Sequence, residues 1–146
     1  MPVTGRGQRG FTLLELLVVI VLLGLAASIL AVGIGRGMQS AEERRTLADL
    51  VAGLRGARVE AITRGAPVPA RFDLAARRLE VPGKPPVGWP ADYALRLHTA
   101  RERGGAFVFY PDGGASGGNV RIEHAGRRWR IDIAWLTGRT QLRTLP

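Results

Sequence analysis

Residues 9–19 read RGFTLLELLVV, and they open an apolar run, Phe11 to Ile34, interrupted only by Thr12, Glu15, Gly24, Ser28 and Gly33. A helix rises 1.5 Å per residue, so the run measures roughly 36 Å, enough to span a bilayer. A conventional export signal is the competing reading, but its apolar region is shorter, and a cleaved signal has no use for an acid at its near edge. Arg6 and Arg9 precede the run while Arg36, Arg44 and Arg45 follow it, so charge counting does not fix its orientation. The decisive residue is Glu15.

A lone carboxylate costs about 2.5–3.5 kcal/mol at mid-membrane on insertion scales. The positive end of the helix dipole offsets part of this, and a cationic amine one turn away would offset more. If the chain were cut after Gly10, Phe11 would carry that amine, four residues before Glu15 on the same helix face. An amine on a neighbouring chain serves equally well, and Glu15 then fixes the axial register between subunits. Gly10-Phe11-Thr12-Leu13-Leu14-Glu15 followed by an apolar run resembles the class III signal of type IV pilins and type II secretion pseudopilins. The resemblance implies that a prepilin peptidase cuts between Gly10 and Phe11 and N-methylates Phe11, and that Glu15 serves subunit packing. It implies a leader over 1–10, a transmembrane and filament-core helix over 11–34, and a periplasmic domain over 35–146.

The remaining chain, about 110 residues, has room for a modest core and not for a large enzyme cleft. Cysteine is absent, which excludes disulfides and thiolate metal sites. A formal net charge of +9 favours anionic partners without choosing among nucleic acid, lipid headgroups and acidic proteins. Leu47, Leu50, Val51, Leu54, Ala57, Ala61 and Ile62 recur at helical spacing, with Glu42, Glu43, Arg44 and Arg45 mostly off the stripe. The helix is therefore expected to continue to a stop at Gly65–Pro67. Gly35, Gly37, Gly53 and Gly56 weaken it by about 1 kcal/mol each against alanine, which predicts a break or kink near 35–40.

From Val68 the period changes to two. Val68, Ala70, Phe72 and Leu74 alternate, and Leu79 and Val81 form the second arm of a hairpin. PGKPPVGWP (82–90) reads as a loop. Short strands are expected at 93–97, 107–110, 120–122, 129–133 and 140–142, with turns at PDGGASGG (111–118) and Ala125-Gly126. About seven strands after one helix predict an α+β, pilin-like fold, a long N-terminal helix packed on a small antiparallel β-sheet domain.

FVFYPDGGASGGNVRI (107–122) and RRWRIDIAWLTGRTQL (127–142) resemble the C-terminal half of GspH/FimT-type pseudopilins. An aromatic strand, a Pro-Asp-Gly turn, a Gly-Gly strand start and a terminal Thr-Gly-Arg recur there. The resemblance implies a minor pseudopilin of the type II secretion system, anchored in the inner membrane. Its partners would be the major pseudopilin and the other minor tip subunits, with no small-molecule substrate. A FimT-like minor pilin of a type IV pilus or competence system, binding DNA through C-terminal arginines, is the alternative. Its candidates are Arg128, Arg130, Arg139 and Arg143, because arginines interleaved with Trp129 and Trp135 can hold phosphates in a salt-dependent way. The competing reading is a solvated arginine face with both tryptophans in the core.

No catalysis is expected. Ser116, His124 and Asp112 or Asp132 offer the residue types of a hydrolase triad, but no G-x-S-x-G elbow is present and they read as surface turn residues. PDGGASGG lacks the Lys-Ser/Thr of a phosphate loop and precedes a strand. One carboxylate in that turn is too few for a calcium loop, so no metal or cofactor is expected.

Overall fold

The computed structural model of this chain describes residues 12–99 and 104–146, with the side chains of 29–38 outside the described set. The chain divides into two units, Met1–Glu42 and Glu43–Pro146. A single helix, α1, runs Leu13–Arg64 and is not interrupted at 35–40. Propagation adds a hydrogen bond for every residue, so isolated glycines do not outweigh the cooperativity of a long helix. Gly53 has a packing reason. A side chain there would press on Leu79, so the missing Cβ lets the helix sit close to the sheet.

In the second unit, the helix face Leu47, Leu50, Val51, Leu54, Ala57 and Ala61 is buried, as its spacing predicts. Ile62 is not part of that face; it is 45% exposed, because one step past Ala61 turns about 100° away from the core. Gly65, at φ 65°, ends the helix in the left-handed conformation that only glycine adopts without cost. Beside this end, Glu60 meets Arg64 at 2.5 Å and Lys84 at 3.4 Å. Partial burial pushes its pKa up, yet the charges and hydrogen bonds of Arg64 and Lys84 outweigh this and hold it below the usual carboxylate range.

Eight strands follow among the described residues: β1 (Val68–Asp73), β2 (Arg78–Glu80), β3 (Val87–Gly88), β4 (Ala94–His98), β5 (Ala106–Phe109), β6 (Gly118–His124), β7 (Arg127–Ile133) and β8 (Thr140–Leu145). They make two antiparallel sheets, ordered β3-β2-β1-β5 and β4-β6-β7-β8. The first corrects one expectation: β3 lies inside the Pro/Gly segment read as a loop, paired through Leu79 and Val87. A two-residue strand carries too little period to be read from sequence. β1 also stops at Asp73, where its carboxylate accepts from the Ala76 N–H at 2.8 Å and turns the chain, leaving Leu74 exposed. The β6–β7 hairpin turns on Ala125 and Gly126, both at positive φ, as a two-residue hairpin loop requires.

The helix face and the inner residues of both sheets, including Phe72, Phe107, Phe109, Val120, Ile122, Trp129 and Ile131, form one core. Glu43, placed off the apolar stripe by the sequence reading, is buried instead. It lies four residues before Leu47 and therefore on the same face. Arg127, at the start of β7, reaches it with a 2.6 Å hydrogen bond that compensates the buried charge. Arg127→Ala should lower stability by about 1–2 kcal/mol, less than a fully buried pair because the arginine is exposed. Pairing it with Glu43→Leu should restore most of the loss in chemical denaturation, because no buried charge then remains.

Candidate functional site

Two surfaces hold the residues singled out by sequence. The first is the start of α1. The Leu16 N–H donates to the Thr12 carbonyl at 3.2 Å, and the Glu15 N–H donates to Thr12 Oγ1 at 3.3 Å. Thr12 is thus the N-cap, and Thr-Leu-Leu-Glu is the sequence pattern of a capping box. Sequence reading missed this local role for the segment, although Thr-x-x-Glu before an apolar run is its signature. Glu15 itself is exposed in the first helical turn. The Gly10–Phe11 junction lies outside the described residues.

Every large apolar side chain from Leu13 to Leu25 is exposed, Leu13 by 85%. Just past this stretch, the Ser28 hydroxyl donates back to the Gly24 carbonyl at 2.8 Å and needs no outside partner. A helix that is apolar all round is stable only when lipid or other helices cover it. Among the described residues no helix is long and apolar enough to cross a membrane. The expected span, 11–34, continues into residues whose side chains are outside that set.

The second surface is built by three distant segments. In the Tyr110–Gly114 turn the Gly113 N–H donates to the Tyr110 carbonyl at 3.0 Å, and Asp112 Oδ1 accepts from the Gly114 N–H at 2.9 Å. The Ala134–Arg139 loop closes through Gly138 N–H to Ala134 O at 2.8 Å, and its Trp135 carbonyl accepts from the Ala115 N–H at 2.8 Å. Arg58 of α1 ties both together, donating from Nε to the Gly113 carbonyl at 3.0 Å while Gly138 packs against its side chain. Arg55, one turn earlier, donates to the Thr140 carbonyl at 3.3 Å. Between them lies a hollow of about 500 Å³ walled by Arg55, Arg58 and Arg139, with Val59, Thr137 and Thr140. The Pro-Asp-Gly and Thr-Gly-Arg motifs, apart in sequence, meet here on one helix.

The four candidate DNA contacts are arranged unequally. Arg130 and Arg143 share Asp132, at 2.9 and 3.4 Å, and Arg143 also donates to Gln141 at 3.3 Å. Arg128 donates to the Pro146 carbonyl. The Arg139 guanidinium has no hydrogen bond or ion pair among the described residues, whereas its backbone N–H donates to Thr137 Oγ1 at 3.4 Å. Trp129 is in the core, as expected, but Trp135 is 71% exposed and Leu136 69%. Trp135 lies two residues past Ile133, the end of β7, so the strand alternation that buries Trp129 no longer applies to it.

The triad residues are not brought together. The Ser116 hydroxyl accepts from the Val108 N–H at 3.1 Å, Asp112 serves its own turn and Asp132 is held by arginines. His124 is not a surface turn residue. It is buried, stacked on Tyr93 with ring centroids 4.1 Å apart, and its Nδ1 faces Asp92 at 3.2 Å. It continues the alternation of Val120 and Ile122 along β6, which puts the ring on the inner face. Among the described residues no group of histidines and carboxylates could hold a metal.

Comparison with known proteins agrees with this architecture. Residues 5–31 match the model of the prokaryotic N-terminal methylation motif, and residues 46–137 match that of type II transport protein GspH. Type II secretion system protein H of Xanthomonas campestris pv. campestris is 35% identical over 142 residues, covering 94% of this chain and 84% of that protein. Type II secretion system protein H of Escherichia coli K12 is 41% identical over 83 residues, covering 56% of this chain and 49% of that one. The crystal structure of the type IV minor pilin FimU of Pseudomonas aeruginosa PAO1 superposes with a TM-score of 0.51 at 17% identity, over 68% of this chain and 91% of that one, and so shares the fold. With its methylation motif preceding a helix-on-two-sheets domain, this chain belongs to the GspH family of type II transport proteins.

Proposed function

We propose that this chain is a minor pseudopilin of a type II secretion system, a structural subunit of the pseudopilus that serves protein export and carries out no reaction itself. The observation that carries this reading is the start of α1, where a capped helix end presents one acid in a sleeve of exposed leucine, valine and isoleucine. Such a surface is incomplete alone. In the inner membrane lipid covers it; in the pseudopilus the equivalent helices of other pseudopilins do. A prepilin peptidase would remove residues 1–10 and methylate the Phe11 amine, which then lies one turn from Glu15 and compensates its charge. The Glu43–Pro146 unit would stand in the periplasm.

Mass spectrometry of the protein purified from its host tests the reading. The expected N terminus is Phe11 carrying one added methyl group. A chain still beginning at Met1, or trimmed near Ala27, would overturn it.

A further inference from the structure

The hollow beside Arg58 has a chemistry that assembly through α1 does not use. Its walls carry three guanidinium groups and no carboxylate. Two of them are held in place, Arg55 by the Thr140 carbonyl and Arg58 by the Gly113 carbonyl, and neither carbonyl cancels a positive charge. The third, Arg139, extends from a loop that backbone bonds fix at both sides. On the neighbouring strand β7, by contrast, carboxylates neutralise the arginines, as Asp132 does for Arg130 and for Arg143 of β8 and as Glu43 does for Arg127. On the same loop Trp135 and Leu136 stand exposed, and the backbone of Trp135 is pinned to Ala115. An exposed tryptophan on a rigid loop next to unpaired arginines has the composition of an interface anchor.

We propose that the hollow walled by Arg55, Arg58 and Arg139 receives a carboxylate side chain of an acidic partner protein, with Trp135 as the apolar contact beside it. A nucleic-acid backbone fits less well. It needs a row of available cations along the surface, whereas Arg130 and Arg143 are occupied by Asp132 and Arg128 by the chain end. One compact three-arginine hollow suits a single anionic group held by bidentate guanidinium contacts. The inference stands independently of filament assembly, since a chain that never enters a filament would still bind.

The test is fluorescence anisotropy of a dye-labelled, terminally blocked hexaglutamate peptide titrated with the full chain in detergent, with a labelled DNA duplex in parallel. Arg139→Gln leaves the fold intact, because the side chain has no partner among the described residues. It should weaken hexaglutamate binding by about tenfold or more, the size expected for a lost charge-assisted contact, whereas Arg143→Gln should change it by less than about threefold. Trp135→Ala should also weaken it. No hexaglutamate binding at low salt, or equal losses in the Arg139 and Arg143 variants, would overturn the proposal. Tighter binding of the duplex, reduced by both variants, would overturn it in favour of a nucleic-acid partner.

Discussion

Gly138→Ala should destabilise the Glu43–Pro146 unit by about 2–4 kcal/mol, among the larger effects a single methyl group can have. Two costs combine. Gly138 has φ 60°, where an alanine pays roughly 1–2 kcal/mol of backbone strain. Its Cβ would also lie inside van der Waals contact of the Gly113 carbonyl oxygen and 3.0 Å from Arg58 Cδ. The carbonyl belongs to a backbone turn and cannot swing aside, so relief requires opening the 3.0 Å bond from Arg58 or the 2.8 Å bond from Gly138 to Ala134. At about 4–8 °C per kcal/mol for a domain of this size, melting should fall by roughly 10 °C or more. Gly126→Ala is the control. Its φ is 76° but nothing lies within 4 Å of the added carbon, so only the strain of about 1–2 kcal/mol remains. Equal losses at the two positions would show that the junction at Arg58 adds nothing.

Glu15→Ala is expected to leave membrane insertion and leader cleavage intact while reducing incorporation into sheared filaments by tenfold or more. Removing a charge from an apolar helix makes insertion easier, so a defect must arise at assembly. Tenfold corresponds to about 1.4 kcal/mol, within the reach of one charge pair in a low-dielectric bundle. The capping geometry at Thr12 raises a rival cause, because Glu15 sits where a capping box places its acid. Glu15→Gln separates the two. Glutamine serves a capping box as well as glutamate does but carries no charge, so it should assemble as poorly as alanine. Wild-type incorporation of the glutamine variant would rule out charge-matched register as the reason for the acid.

Much of this molecule is legible in its sequence, and the legible parts share a cause. The α1 stripe from Leu47 to Ala61, the alternation of β1, β6 and β7, and the turns at Ala125-Gly126 and Asp112-Gly113 are set by periods and conformational limits acting within a few residues. Where the period was interrupted or too short, reading failed. Ile62 and Leu74 continue the apolar periods yet are exposed, and β3 lies in a segment with the composition of a loop.

Sequence alone determined the apolar N-terminal segment with its single acid and the order of one long helix followed by short antiparallel strands, because local backbone preferences and side-chain chemistry carry that information. Only the tertiary structure decided that Glu43 is buried against Arg127, that Trp135 faces solvent, that His124 stacks on Tyr93, and that three arginines from α1 and the Ala134–Arg139 loop enclose one hollow. Those pairings join residues up to 84 positions apart, and at such separation no spacing rule links one partner to the other.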